Sequence, residues 1–379
     1  MVCVLHIVSG LKIGGTEMVL YRLITDVSND AYRHVVISLS PEGGMRQLFH
    51  EAGIELFVLN FKSSPFLQFA RLISLINSVS PDIVQTWMYH ADLVGGLAAR
   101  VTARKNIIWG VRNTDLNFGG SRVTVWVRWL CARLSSVVPN SIVCAAQASR
   151  RTHEALGYSP ERMVVVPNGF DLARLQATKL QVQALRLASG LVATDVVIGT
   201  LGRFDAAKDP QNFVLAAGLL GRQFPQVKFL MVGRNCDKAN TQLMGWIEAK
   251  GLASRFVLLG ERRDAPVCLA AMDVFCLSSR TEGFPNVVGE AMAMRRACVV
   301  TDVGDAAYLL GGCGFVVPKE DSAALALGMG KLLGLSTAER AELGERAHAR
   351  ITSEFTIGRT RERFEAIYAR VLAGLHPQQ

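Results

Sequence analysis

Two doubly wound α/β domains in tandem are what this chain's pattern predicts, and three observations carry the prediction. Short β-branched and apolar runs alternate with longer amphipathic stretches, as in a repeated strand-helix unit. The strand candidates are almost continuously apolar, so both faces of each sheet must be covered by helices, which implies parallel strands. The alternation lapses near residue 172 and then begins again. A length of 379 residues, half of them hydrophobic, suits two domains of ordinary size.

In order, the first half offers strands at residues 3–8, 34–38, 55–59, 83–86, 106–111, 141–145 and 163–166. The opening MVCVLHIVSGLKIGG lacks a basic segment before its apolar run and a small-residue cleavage site after it, so it reads as a buried first strand and not as a signal peptide. Residues 172–195 are polar and poorly periodic. Six further strands follow at 196–201, 228–232, 256–259, 274–277, 297–301 and 315–317, and residues 338–375 are almost wholly helical in composition. In the helical stretch 121–138, steps of 100° put Arg122, Trp126, Trp129 and Arg133 on one face and Val123, Val127, Leu130 and Leu134 on another.

Composition narrows the function. Nowhere do about 18 consecutive apolar residues occur, so a transmembrane span is not expected despite a mean hydropathy of +0.25. The eight cysteines include no Cys-x-x-Cys pair and mostly sit in apolar runs, which reads as buried, reduced thiols in a cytoplasmic protein. A net charge of +9, divided evenly between the two halves, suits anionic ligands, phosphates or an anionic membrane surface. No nucleic-acid-binding motif accompanies it.

Chemistry-bearing residues gather where strands run into helices. Gly14 and Gly15 follow the first strand and precede a helix, letting backbone N–H groups approach an anion. Gly202, Arg203 and Lys208 repeat the device at the start of the second domain, pairing a planar guanidinium with a mobile ammonium as a diphosphate requires. In SSRTEGFPNVVGEAMAM, Pro285 marks a helix start, placing Glu282 in the preceding loop and Glu290 in the second turn. The N–H groups of Asn286 to Val288 then face phosphate or sugar oxygens, and Glu290 suits the vicinal hydroxyls of a ribose. His90 falls at a strand-to-helix turn, a position for hydroxyl contact or proton transfer. His6 and His34, inside strand patterns, read as structural.

The Gly202–Arg203 turn with Lys208, the Glu-x7-Glu spacing in EGFPNVVGEAM, and Pro167-Asn168-Gly169 with Asp171 together resemble the retaining glycosyltransferases of family GT4 over nearly the whole chain. Gly14-Gly15-Thr16-Glu17 is similar to that family's N-terminal glycine loop, and TDVGDAAYLL to the bacterial surface-polysaccharide version. The resemblance implies a GT-B fold: residues 1–171 as an acceptor-side Rossmann-like domain, 172–358 as a nucleotide-sugar-binding one, the two facing across a cleft, and a C-terminal helix, 359–379, crossing back to the first. It further implies that Arg203 and Lys208 meet the donor diphosphate, Glu290 the ribose and Glu282 the donor sugar. Backbone groups around Gly283, Phe284, Asn286 and Val287 would hold sugar and phosphate oxygens, and Arg263 would flank the base. Asp209 departs from the pattern, which has glycine there.

What the resemblance implies is transfer of a hexose or N-acetylhexosamine from a UDP-sugar, or failing that GDP-mannose, to a glycan or lipid-linked acceptor in cell-surface polysaccharide biosynthesis. No Asp-x-Asp motif stands at a suitable turn, so no metal is expected and positive side chains with helix N-termini neutralise the leaving group. The basic and aromatic face of 121–138 adds an anionic membrane surface as an expected partner. A GT-B epimerase or phosphorylase, and a non-catalytic membrane-associated scaffold, are the alternative readings.

Overall fold

The structure, a computed structural model, describes residues 1–12, 14–25, 31–112, 114 and 121–375. Of the expected glycine loop Ile13 lies outside the described residues, as do residues 376–379 of the expected crossover segment. The chain divides into two compact units, Met1–Gly169 with Ile357–Gln379, and Phe170–Thr356.

In the first unit the strands are β1 (Val2–Val8), β2 (Tyr32–Ser38), β3 (Glu55–Val58), β4 (Ile83–Trp87), β5 (Ile107–Val111), β6 (Ser141–Cys144) and β7 (Met163–Val165). They form one parallel sheet in the order β3-β2-β1-β4-β5-β6-β7. The order reverses between β1 and β4, which pair in the register Val4 with Ile83. Such a switch point leaves a crevice at the carboxyl ends of the two strands. One face of the sheet packs Leu5, Ile7, Val35, Val84 and Trp109 beneath flanking helices. The other packs Val4, Val8, Val36 and Trp87 against the helix Ile357–Leu372, which buries Phe364, Tyr368 and Val371. Tyr368 donates to Gln85 Oε1 in β4, and Thr360 Oγ1 donates to Pro167 O at 3.0 Å, so this last helix is built into the first unit's core.

The second unit contains β8 (Val196–Leu201), β9 (Val227–Val232), β10 (Phe256–Leu258), β11 (Val274–Leu277), β12 (Ala297–Thr301) and β13 (Gly314–Val317), all parallel, in the order β10-β9-β8-β11-β12-β13. Its switch point lies between β8 and β11, paired Ile198 with Val274. Phe213, Phe229 and Phe256 cluster by edge and stacked contacts at its centre.

Each expected strand is present within two residues of its expected ends. Two local features were not given by the sequence pattern. The stretch 172–195 contains a helix, Lys179–Ala188, started by a Thr178–Gln181 capping box; Leu185 is its one buried residue, too little to print a periodic stripe. In the helix Arg122–Leu134 the buried residues are Cys131 and Ala132, with Val127 and Leu134 packed against the core. Val123 and Leu130 are exposed along with Trp126 and Trp129. All eight cysteines are unpaired and buried, and among the described residues no helix is long and apolar enough to cross a membrane.

Candidate functional site

The turns after β8 and β11 meet at the second unit's switch point. Backbone stitches hold them together: Arg280 N–H donates to Ala207 O at 2.9 Å and Ser278 Oγ to Lys208 O at 3.0 Å. Between them Lys208 Nζ stands 2.6 Å from Glu282 Oε1, with side chains 30% and 10% exposed, and Ser279 Oγ donates to the same oxygen at 2.7 Å. The two residues assigned from sequence to phosphate and to sugar are thus each other's partners, a half-buried charge pair on one edge of the sheet.

Asp209 explains itself structurally. Its backbone is left-handed, φ +45°, where glycine is the easy choice. Here an aspartate takes the strain and uses it: Oδ1 accepts from Asn212 N–H at 3.2 Å as the N-cap of the helix Pro210–Leu220, and Arg280 Nε donates to Oδ2 at 2.8 Å. Arg203 is exposed and donates from Nε to Asp205 Oδ2 at 3.0 Å. The Ala207 N–H bonded to Asp205, followed by Arg203, holds that carboxyl below its ordinary pKa.

Glu282 and Gly283 lean on residues that sequence reasoning missed. Gly304, φ +56°, lies so close beneath them that a Cβ there would stand 2.3 Å from Gly283 O and 2.4 Å from Glu282 O. Asp305 N–H donates to Gly283 O at 2.9 Å, and Thr301 Oγ1 to Ser279 O at 2.8 Å. The TDVGD run that includes Gly304 was a visible signal, with nothing in it to say which loop it supports. Phe284 is buried at 7% exposure, its ring 6.3 Å from Phe170 and 6.0 Å from Phe355. Its side chain therefore anchors the loop, leaving only its backbone for a ligand.

The helix Asn286–Ala293 begins directly after Pro285 without a side-chain cap. Asn286 and Val287 open it half-buried, while the Val288 N–H is spent on Pro285 O at 2.9 Å and does not face a ligand as expected. Glu290 follows in the second turn, half-buried. Arg263 is exposed on the loop after β10, beside an Arg262–Asp264 ion pair of 2.6 Å.

At the first unit's switch point, Gly15 starts the helix Gly15–Thr25 after β1, and His90 lies in the first turn of the helix Tyr89–Val101 after β4. At Gly14 a Cβ would stand 2.6 Å from Glu17 Oε2, the end of a side chain that folds back over the turn and would have to swing aside. Burial pulls the half-buried His90 below the usual imidazole pKa. Its turn is strapped by Asp92, whose Oδ1 accepts from Thr86 Oγ1 at 2.5 Å and from Gly110 N–H at 3.2 Å. Burial raises the Asp92 carboxyl to about 7.

Past β5, Arg112 was not foreseen. Its Nη2 donates to Asn168 Oδ1, its guanidinium lies 5.2 Å from the centre of the Trp87 ring, and Glu17 attracts it. Burial lowers its pKa to about 10, with Glu17 opposing. Nothing in a single VRN tripeptide distinguished it. His6 and His34 are structural, with His6 Nε2 2.9 Å from His34 Nδ1 and Trp87 Nε1 donating to His6 Nδ1 at 3.3 Å.

Comparison with known proteins supplies the family. Residues 13–174 match the family model of glycosyltransferase family 4, and residues 195–334 that of the glycosyl transferases group 1, together well over half the chain. Among curated relatives, a UDP-Gal:alpha-D-GlcNAc-diphosphoundecaprenol alpha-1,3-galactosyltransferase of Escherichia coli is 26% identical over 61% of this chain and 60% of that enzyme. The putative glycosyltransferase EpsF of Bacillus subtilis is 24% identical over 79% of each chain. The lipopolysaccharide core biosynthesis mannosyltransferase LpcC of Rhizobium leguminosarum is 27% identical over 66% of this chain and 69% of that one. In fold, the Anabaena protein HepE in complex with UDP superposes with a TM-score of 0.84 at 24% identity, covering 98% of this chain and all of that one. The apo lipopolysaccharide outer core galactosyltransferase WaaB gives 0.70 at 14%, covering 96% and 98%. With its paired parallel-sheet units and these matches, the chain belongs to the group 1, family 4 glycosyltransferases of the GT-B fold.

Proposed function

We propose that the protein transfers a hexose or N-acetylhexosamine, with retention, from a nucleotide diphosphate sugar to a glycan acceptor in cell-surface polysaccharide biosynthesis. The observation that carries the reading is the Lys208–Glu282 pair at the β8/β11 switch point. Breaking the sugar–phosphate bond develops positive charge on the sugar and negative charge on the departing diphosphate, so a site for it needs a fixed cation and a carboxylate side by side. Arg203 and Lys208 are assigned to the diphosphate, Glu282 to the donor sugar, and Glu290 to the ribose. The N–H groups of Gly283, Phe284, Asn286 and Val287 are assigned to sugar and phosphate oxygens, with Arg263 at the base. In the first unit, Gly14 and Gly15 are assigned to an anion and His90 to a hydroxyl contact. Retention follows if the acceptor hydroxyl attacks from the leaving group's own face, its oxygen bonding to the anomeric carbon while its proton passes to the departing phosphate oxygen.

A UDP-sugar is the first donor choice, in keeping with the galactosyltransferase relative, and GDP-mannose the second, in keeping with the mannosyltransferase relatives. Charge neutralisation is assigned to side chains and helix N-termini, without a divalent metal. The first relative's diphosphoundecaprenol substrate supports a lipid-linked acceptor. A membrane contact fits the helix Arg122–Leu134, where Trp126 and Trp129 are 67% and 49% exposed. Residues 93–153 around it carry nine Lys or Arg against one Asp or Glu, so the positive charge is far less even than the two halves of the chain suggest.

A donor screen tests the proposal: nucleotide release from UDP- and GDP-sugars, with and without EDTA, on wild type and Glu282→Ala. Slow release with one donor that survives EDTA and drops at least about 100-fold in Glu282→Ala is the expected result. No release and no thermal stabilisation by any donor would overturn the reading.

A further inference from the structure

A hollow of about 240 Å³ lies within the second unit, between the turn after β8 and the helix Thr241–Ala249. Phe204 and Trp246 form its aromatic wall, their rings stacked with centroids 5.6 Å apart and planes 30° from parallel. Gln211 and Gln242 stand exposed at its edge, and Asp205 and Arg280 line it half-buried. Lys208 and Glu282 take no part in its lining, so the hollow is distinct from the pair assigned to the donor.

The chemistry of the lining selects its ligand. Its charges are already balanced, since Arg203 Nε donates to Asp205 Oδ2 at 3.0 Å and Arg280 Nε to Asp209 Oδ2 at 2.8 Å. An incoming anion would meet both carboxylates and an incoming cation both guanidiniums, so a neutral ligand is favoured. The hydrogen-bonding capacity, by contrast, is open. Among the described residues, neither glutamine amide nor the Trp246 indole N–H has a partner in the chain, and each amide offers both donors and an acceptor. A ligand that matches an aromatic wall and a rim of amides has an apolar face and hydroxyls around its edge, which is the build of a pyranose ring. The volume is below about 300 Å³, where pockets for drug-sized ligands begin, which leaves room for one ring and not for a nucleotide sugar. We infer that this hollow is a second saccharide site, holding one neutral pyranose ring, either free or as the end of a glycan. The inference goes beyond the transfer reading and does not depend on it.

NMR titration of the isotope-labelled full chain with methyl glycosides of glucose, galactose, mannose and N-acetylglucosamine tests it, read at the indole N–H signal that disappears in Trp246→Phe. At least one glycoside should shift that signal in wild type, and the shift should persist in excess UDP and in Glu282→Gln. Gln211→Ala/Gln242→Ala should weaken the same glycoside by about 10-fold, as expected when two hydrogen bonds are lost. Its Tm should stay within about 2 °C of wild type, because both amides are exposed and unpartnered. A tetrasaccharide ending in the same sugar separates the two sources: binding at least about 10-fold tighter than the methyl glycoside supports the site with a glycan end as its ligand, and equal affinity supports it with a free sugar. No shift with any glycoside, unchanged affinity in the double glutamine variant, or loss of the shift in excess UDP would each overturn the inference. None of these results bears on glycosyl transfer, which nucleotide release on the same samples reads separately.

Discussion

Asp209 shows how one residue can combine backbone strain, a helix cap and an ion pair beside a reactive site. It is almost fully buried, left-handed in backbone, and bonded at both carboxylate oxygens. Asp209→Ala should lose the cap and the partner of Arg280 and destabilise by about 2 kcal/mol, while Asp209→Asn keeps the cap and should cost less, read from urea midpoints. Gly304→Ala is the second residue-scale prediction. Its Cβ would collide with backbone carbonyls that cannot rotate away, at a positive φ, so a loss of about 1–3 kcal/mol is expected, with the Glu282–Gly283 loop displaced and donor turnover falling with it. Unchanged turnover in a folded Gly304→Ala protein would show that this loop does not hold the donor.

Among the elements, the parallel strands were legible because burial on both faces leaves continuous apolar runs, as in Cys276-Leu277 and Val299-Val300. The helix Lys179–Ala188 was not, because amphipathic reading needs a buried stripe and this helix buries Leu185 alone. What marks it instead is its capping box. Thr178→Ala should therefore lower stability by about 1 kcal/mol although Thr178 touches no core, a loss that thermal melts on a single-site variant would register. On Arg122–Leu134, angle arithmetic from sequence separated Val123 and Leu130 from Trp126 and Trp129. The observed packing through Cys131 and Ala132 rotates the apolar pair outward, so Val123, Trp126, Trp129 and Leu130 share the solvent side. If that side meets lipid, Trp126→Ser/Trp129→Ser should abolish sedimentation with anionic vesicles and leave the Tm within about 2 °C of wild type, since neither ring is in the core.

For the whole molecule, the residues that sequence reasoning placed at a site were the ones written close together, such as Arg203 with Lys208 and Glu282 with Glu290. Arg112 and Asn168 stand singly on the loops after β5 and β7, and only folding brings them together. The same burial sets a pH dependence. His34 and His153 are pushed down to about 4, and His6 well below its usual value, all by desolvation. Unfolded imidazoles titrate near about 6.5, so between that pH and about 4 the unfolded chain binds more protons, and stability should fall steadily as pH drops through this window. Asp92, raised to about 7, works the other way, binding its proton in the folded state and losing stability as pH rises from about 4 to about 7. Asp92→Asn should therefore steepen the fall in Tm toward acid, and a flat profile in that variant would contradict the assignment of the histidines as buried and neutral.

The central claim is that Lys208 and Glu282 are the cation and the carboxylate of a nucleotide-sugar site, and their opposite charges give it a signed test. Calorimetric titration of UDP, or GDP if that is the donor, into wild type, Lys208→Gln and Glu282→Gln measures it most directly. Glu282 competes with the diphosphate for Lys208, so Glu282→Gln should bind the nucleotide as tightly as wild type or up to about 10-fold more tightly, whereas Lys208→Gln should bind it about 10-fold more weakly. Transfer should nevertheless fall in both variants. Equal weakening in the two, or no change in either, would contradict the account, because the pair would then be a structural ion pair of the β8/β11 edge and the donor would lie elsewhere.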